Sequence, residues 1–161
     1  MLSLWINELH LNPLSGNVDE DQYVEIRGQA AATIPGGTYL LAVDGDQPQT
    51  GEIHTVFDLS GKSLGSNGLL VLLEQNSGYA TDSRANVLRS TAAGFGGLPD
   101  NMFRDDSTIS DHIDFIVGSN TFFLVQTSVA PSLADDIDGN DDGTPDGVHA
   151  QWTVLDSVST L

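Results

Sequence analysis

Apolar and polar residues alternate through most of this chain, and turn-forming residues interrupt the alternation about every ten positions, a spacing typical of all-β domains. The pattern predicts strands that each bury one face, as in a sandwich or barrel. Strands are expected near Ser3–Leu9, Gln22–Gly28, Thr38–Val43, Ile53–Leu59, Leu69–Glu74, Ile113–Val117, Thr121–Gln126 and Ala150–Asp156. Leu69-Leu-Val-Leu-Leu73 is apolar on both faces, which predicts a strand inside a sheet. Val148, Ala150, Trp152 and Val154 alternate with His149, Gln151 and Thr153, so the last strand is expected to bury Trp152.

Turn chemistry adds connections. Asn67-Gly68 tolerates positive φ and predicts a hairpin between the runs Val56–Leu64 and Leu69–Leu73. Pro35-Gly36-Gly37 and Asp44-Gly45-Asp46 read as further turns. Ser77–Asp111 alternates poorly and reads as an insertion, with one short strand near Val87. Phe95 and Phe103 within it either cap the core under a long loop or stand exposed as contact residues.

A length of 161 residues suits one domain with a real core, residues 1–161, carrying the insertion at about 77–111. Five basic residues against twenty-three acidic ones give a formal charge of −18, which repels nucleic-acid phosphates and anionic membranes. Nucleic acid is therefore not expected as a partner. No cysteine is present, so disulfides and cysteine-based zinc sites are excluded. No apolar run approaches the roughly 20 residues that span a bilayer, so membrane insertion is not expected. Met1-Leu-Ser-Leu-Trp5 lacks the basic region of a signal peptide and reads as the edge of a domain within a longer protein.

The acidic loop, residues 135–147, carries the most specific chemistry. Asp138, Asn140 and Asp142 place side-chain oxygens at positions 1, 3 and 5 of an EF-hand-type loop. Gly143 falls at position 6, the Thr144 carbonyl at position 7 and Asp146 at position 9. Such a loop supplies most of the six to eight oxygens that Ca2+ takes. Position 12, normally a bidentate Glu, is His149, and a register beginning at Asp136 would put Asp141 where Gly belongs. Asp135, Asp136 or Asp156 could supply the missing ligand. Strands flank the loop, so it is loop chemistry set in a β connection.

Three readings of the loop compete: a calcium site, an ordered turn without metal, and a disordered acidic segment. Six carboxylates lie between Asp135 and Asp146. Two like charges about 6 Å apart repel by roughly 0.7 kcal/mol in water and roughly 3 kcal/mol at an effective dielectric near 20. This favours a bound cation. Without the Glu at position 12, affinity is expected in the weak extracellular class, on the order of 0.1–1 mM.

Leu4-Trp-Ile-Asn-Glu8, Tyr23-Val-Glu-Ile26 and Phe57-Asp-Leu-Ser-Gly61 leading to Leu69-Leu-Val-Leu72 resemble, in order and spacing, the bacterial branch of the lamin tail domain family. The resemblance covers roughly residues 2–75, and Asn120–Val125 and Trp152–Val158 look like later strands of the same variants. It implies an immunoglobulin-like antiparallel β-sandwich. It also implies a non-catalytic module of a secreted or surface protein, often joined to nuclease, phosphatase or phytase-like domains. The acidic loop is foreign to the nuclear lamin version and looks more like thrombospondin type 3 or dockerin loops.

Catalytic signals are sparse. Glu8 and Glu25 sit among apolar strand residues, either as a catalytic carboxylate pair or in structural pairing with Arg27 or backbone amides; the latter is favoured. No nucleophile elbow, zincin motif or dinucleotide fingerprint occurs. Gly61-Lys62-Ser63 ends like a phosphate loop without its glycine cradle and reads as a turn. His10, His54, His112 and His149 are scattered, as surface residues or as parts of a transition-metal site. The expectation is a calcium-binding, extracellular accessory or adhesion module partnered by neighbouring domains or a surface ligand. The alternative is a calcium-supported hydrolase of the phosphoesterase or nuclease type.

Overall fold

A computed structural model describes residues 2–10, 23–45, 50–73, 77–89, 119–133 and 135–160, with His54 described in its backbone alone. The chain is all-β. β1 (Leu4–His10), β2 (Tyr23–Gly28), β5 (Leu69–Leu73) and β6 (Asn86–Arg89) form one sheet in the order β1-β2-β5-β6. β3 (Thr38–Asp44), β4 (Ile53–Asp58), β7 (Asn120–Gln126) and β8 (Thr153–Thr160) form the other in the order β4-β3-β7-β8. The path crosses between sheets after β2, β4 and β6, which gives an immunoglobulin-like sandwich.

Alternation sets the core. Val24 and Ile26 of β2, Leu70 and Leu72 of β5, Leu40 and Ala42 of β3, and Phe122 and Leu124 of β7 meet between the sheets in one buried cluster. The interleaved residues of the second sheet are apolar too. Leu41, Val43, Ile53, Val56 and Val125 form a second cluster on its outer face. Most of that cluster is kept from water, because the β7–β8 connection lies over it and packs Leu133, Ile137 and Trp152 against it.

The path of this strap follows from the register. β7 ends at Gln126 beside Thr38, and Thr127 N donates to Gly37 O at 2.8 Å. The chain then travels to the opposite end of the sheet, where Asp136 bridges Glu52 and Ile53 N donates to Asp135 O at 2.9 Å. It returns through a 3-10 turn, His149–Gln151, to start β8 at Thr153 beside Gln126.

Several expectations need correction. Asn67-Gly68 forms a turn, with Gly68 N donating to Gly65 O at 2.9 Å, but it makes no hairpin. The turn carries the chain from the second sheet to the first, where β5 pairs with β2 while β4 pairs with β3. A turn dipeptide specifies a local reversal and leaves open which strand the exit pairs with. The sandwich is not wholly antiparallel, because β6 runs parallel to β5. This is the short strand expected near Val87, entered through a crossing segment instead of a hairpin.

The last strand starts at Thr153, not Ala150, and Val148 and Val154 are exposed. Leu124 faces Asp156 and Val125 faces Val154, so Leu155 is an extra residue that shifts the alternation and turns toward the inter-sheet core. Trp152 is half-buried against the outer cluster. The expected strand Ile113–Val117 and the residues Phe95, Phe103 and His112 lie outside the described residues.

Asp156 Oδ2 accepts the N–H of Ile6 at 2.8 Å, tying β8 to the irregular point of β1 between Ile6 and Glu8. Replacing Asp156 by Ala should cost about 1.5 kcal/mol, as expected for a part-buried hydrogen bond to a charged group, and Asp156→Asn should recover much of it. Urea denaturation midpoints that are equal in all three proteins would contradict this role.

Candidate metal centre

The acidic loop occupies the far end of the strap and is tied to the sheet before its acidic turn begins. Ile137 N donates to Gly51 O at 2.9 Å, and the Ile137 side chain is buried in the outer cluster. Ile137 O then accepts Asp146 N at 2.7 Å, closing the loop at its base. Gly51 permits this approach. Its φ is 92°, and a Cβ there would lie 2.7 Å from Asp136 Oδ1.

Inside the loop the side-chain oxygens hold backbone amides. Asp136 Oδ1 accepts Asp138 N at 2.8 Å. Asp138 accepts Asp142 N on Oδ1 at 3.2 Å and Gly143 N on Oδ2 at 2.6 Å. Asn140 Oδ1 also accepts Asp142 N, at 2.9 Å, and Asp142 Oδ1 accepts Thr144 N at 2.9 Å. Asp141 and Gly143 have φ of 55° and 83°, so the chain coils tightly around the Asp138 carboxylate. The turn therefore forms at the expected Gly143, and position 1 holds the amides of positions 5 and 6.

The donor set is made only of oxygens, as a hard cation requires. Each oxygen that accepts one amide retains a second lone pair. Convergence is incomplete: among the described residues, no three His, Asp or Glu side chains gather into a metal-holding group. Asn140 and the Thr144 carbonyl, both expected ligands, are not groups of that kind. Asp146 is fixed through its backbone, its N–H on Ile137 and its carbonyl accepting His149 N at 3.0 Å.

The other candidates for a missing ligand divide. Asp136 adjoins the loop. Asp135 is engaged by the strap, its Oδ2 accepting Ser132 N at 3.0 Å. Asp156 does not fit: it lies on β8, whereas the loop is pinned to β4 at the other edge of the sheet, about 14 Å away at normal strand spacing. His149, at position 12, lies edge-on to Trp152 at 4.8 Å between centroids, with Nε2 3.9 Å from Asp135 Oδ2. Sequence reading missed Gly51, Glu52 and Ile137 as the loop's supports. A single aliphatic residue inside an acidic run was the available signal for Ile137.

Glu8 and Glu25 stand directly opposite each other on β1 and β2, on the outer face of the first sheet. Among the described residues their partners are side chains, not Arg27 or backbone amides. Tyr23 Oη donates to Glu8 Oε1 at 2.7 Å, and Asn7 Nδ2 donates to Glu25 Oε1. His10 stacks on Tyr23, and Tyr79 closes the group edge-on with its hydroxyl 3.1 Å from His10 Nε2. Glu8 is exposed and Glu25 half-buried.

Burial, and then the hydrogen bond and charge of Glu8, hold the Tyr23 hydroxyl far above the usual phenol range. The unfolded chain then loses this proton first as pH rises. The stability it represents is complete below the ordinary phenol value and declines above it. Tyr23→Phe should therefore flatten the loss of stability above about pH 10, and an unchanged alkaline unfolding profile would contradict the assignment. No family model matches this chain, and no curated protein matches it in sequence.

Proposed function

We propose that this chain is a non-catalytic, calcium-binding β-sandwich module, lamin-tail-like in its first sheet, acting as an accessory or adhesion unit of a larger secreted or surface protein. The observation that carries the reading is the Asp138 carboxylate, which accepts the amides of Asp142 and Gly143 at a positive-φ glycine inside a loop pinned to the sheet. That is the frame on which alternate oxygens of a calcium loop are carried. Asp138, Asn140, Asp142, the Thr144 carbonyl and Asp146 would hold the ion, with Asp136 beside them. The ion would neutralise charge and stiffen the strap, with no chemical step assigned to it.

One further point supports the module as a whole. Of the motifs that carry the family resemblance, Leu4–Glu8, Tyr23–Ile26 and Leu69–Leu72 lie side by side as β1, β2 and β5, while Phe57–Gly61 begins at the end of β4 in the other sheet. Among the described residues, no helix is long and apolar enough to cross a membrane. A weak calcium site matches the millimolar calcium outside cells, where neighbouring domains or a surface ligand would be its partners.

Calorimetric titration should give a dissociation constant on the order of 0.1–1 mM. At 10 mM calcium, linkage then adds about 1.4–2.7 kcal/mol of stability, which raises the melting temperature by roughly 3–10 °C for a domain of this size. Asp138→Asn and Asp142→Ala should weaken binding at least about tenfold, the loss of a charged ligand. A flat native titration with an unmoved melting curve overturns the calcium reading.

A further inference from the structure

We propose that Ile137 couples order in the acidic loop to docking of the strap on the second sheet, so that the two form and come apart together. The coupling stands on three connections made by this one residue. Its side chain is buried in the outer apolar cluster, its N–H is held by Gly51 O, and its carbonyl closes the loop through Asp146 N. The residues on either side extend the link. Asp135 O accepts Ile53 N from β4, while Asp136 Oδ1 accepts Asp138 N at the first position of the loop.

On its N-terminal side the loop therefore joins the strap through a residue held at three points. If the loop opens at its base, Ile137 loses the bond that sets its carbonyl, and its neighbours lose the Asx turn that leads into position 1. If Ile137 lifts from the sheet, the loop loses the rigid end on which it closes. The forces on the two parts oppose each other. Burial of Ile137, Leu133 and Trp152 draws the strap down, and repulsion among the loop's carboxylates pushes it open. The further consequence that a cation in the loop seats the strap rests on the calcium reading above; the coupling itself does not.

Amide hydrogen exchange measured by NMR without calcium tests the coupling in both directions. Gly143→Ala perturbs the loop alone, because an added Cβ meets no atom within 4 Å and acts only through its φ of 83°. It should speed exchange about tenfold at the loop amides of Asp142 and Thr144, and equally at Ile137 and Ile53. Ile34 N, bonded to Lys62 O at the opposite end of the sheet, should not change. Ile137→Ala should likewise speed the loop amides, and Ile137→Val should do so by less.

Faster exchange confined to the loop in Gly143→Ala, or loop amides unchanged in Ile137→Ala, overturns the coupling. With calcium added, slower exchange at Ile53 together with the loop shows that the ion seats the strap. A native protein that ignores calcium but exchanges loop and strap together keeps the coupling and removes the calcium reading.

Discussion

The second sheet is apolar on both faces, and the strap exists because the outer one must be kept from water. Leu41, Val43, Val56 and Val125 point away from the inter-sheet core, and Ile137, Leu133 and Trp152 close over them. Full burial of one such aliphatic side chain is worth about 1.5–3 kcal/mol, so the cover is a substantial part of a domain's net stability. A shorter β7–β8 hairpin would satisfy the backbone pairing equally well and leave this face bare. The length of the connection, and hence the room for an acidic loop, follows from the need to reach β4 and return.

Charge works against this arrangement. A chain with a formal charge of −18 places six carboxylates within the twelve positions 135–146, on the segment that must lie flat. The loop limits the cost by using its carboxylates as amide acceptors: Asp136, Asp138 and Asp142 each hold a backbone N–H. Amides that would be unpaired in a tight turn are satisfied, and the negative charge is spread over oriented dipoles. Repulsion between neighbouring aspartates remains, and it falls on the same residues that anchor the strap. Stability of the outer cover is thus tied to whatever screens or neutralises the loop.

Six of the predicted runs were legible where one rule was enough. Period-two alternation located β1 to β5 and β7 to within two residues at each end, and the doubly apolar Leu69–Leu73 marked a strand paired on both sides. It failed at β8 for a physical reason. Leu155 is an added residue, so the alternation read downstream from Val148 does not carry through the strand, and its first part, His149–Gln151, is a 3-10 turn. Pairing was less legible than position, as Asn67-Gly68 shows, since pairing is decided by contacts distant in sequence. The loop's turn at Gly143 was readable because glycine spacing is local. Its dependence on Gly51 and Ile137 was not, because that requires knowing that the strap reaches β4.

The composition of the loop remains to be explained by more than its fold. Asn and Ser make the same side-chain-to-backbone turns as Asp, and Asn140 does so here. A segment that needed only amide acceptors could use them throughout and avoid the repulsion. Carboxylates at 136, 138, 141, 142 and 146 bring a cost that turn geometry does not require. Ion pairing is not what offsets it in the described contacts, where His149 stands 3.9 Å from Asp135 and outside the coil of the loop. Under the proposed calcium reading, a divalent cation would turn that cost into binding energy: the charge that opposes docking of the strap would become the attraction that holds it.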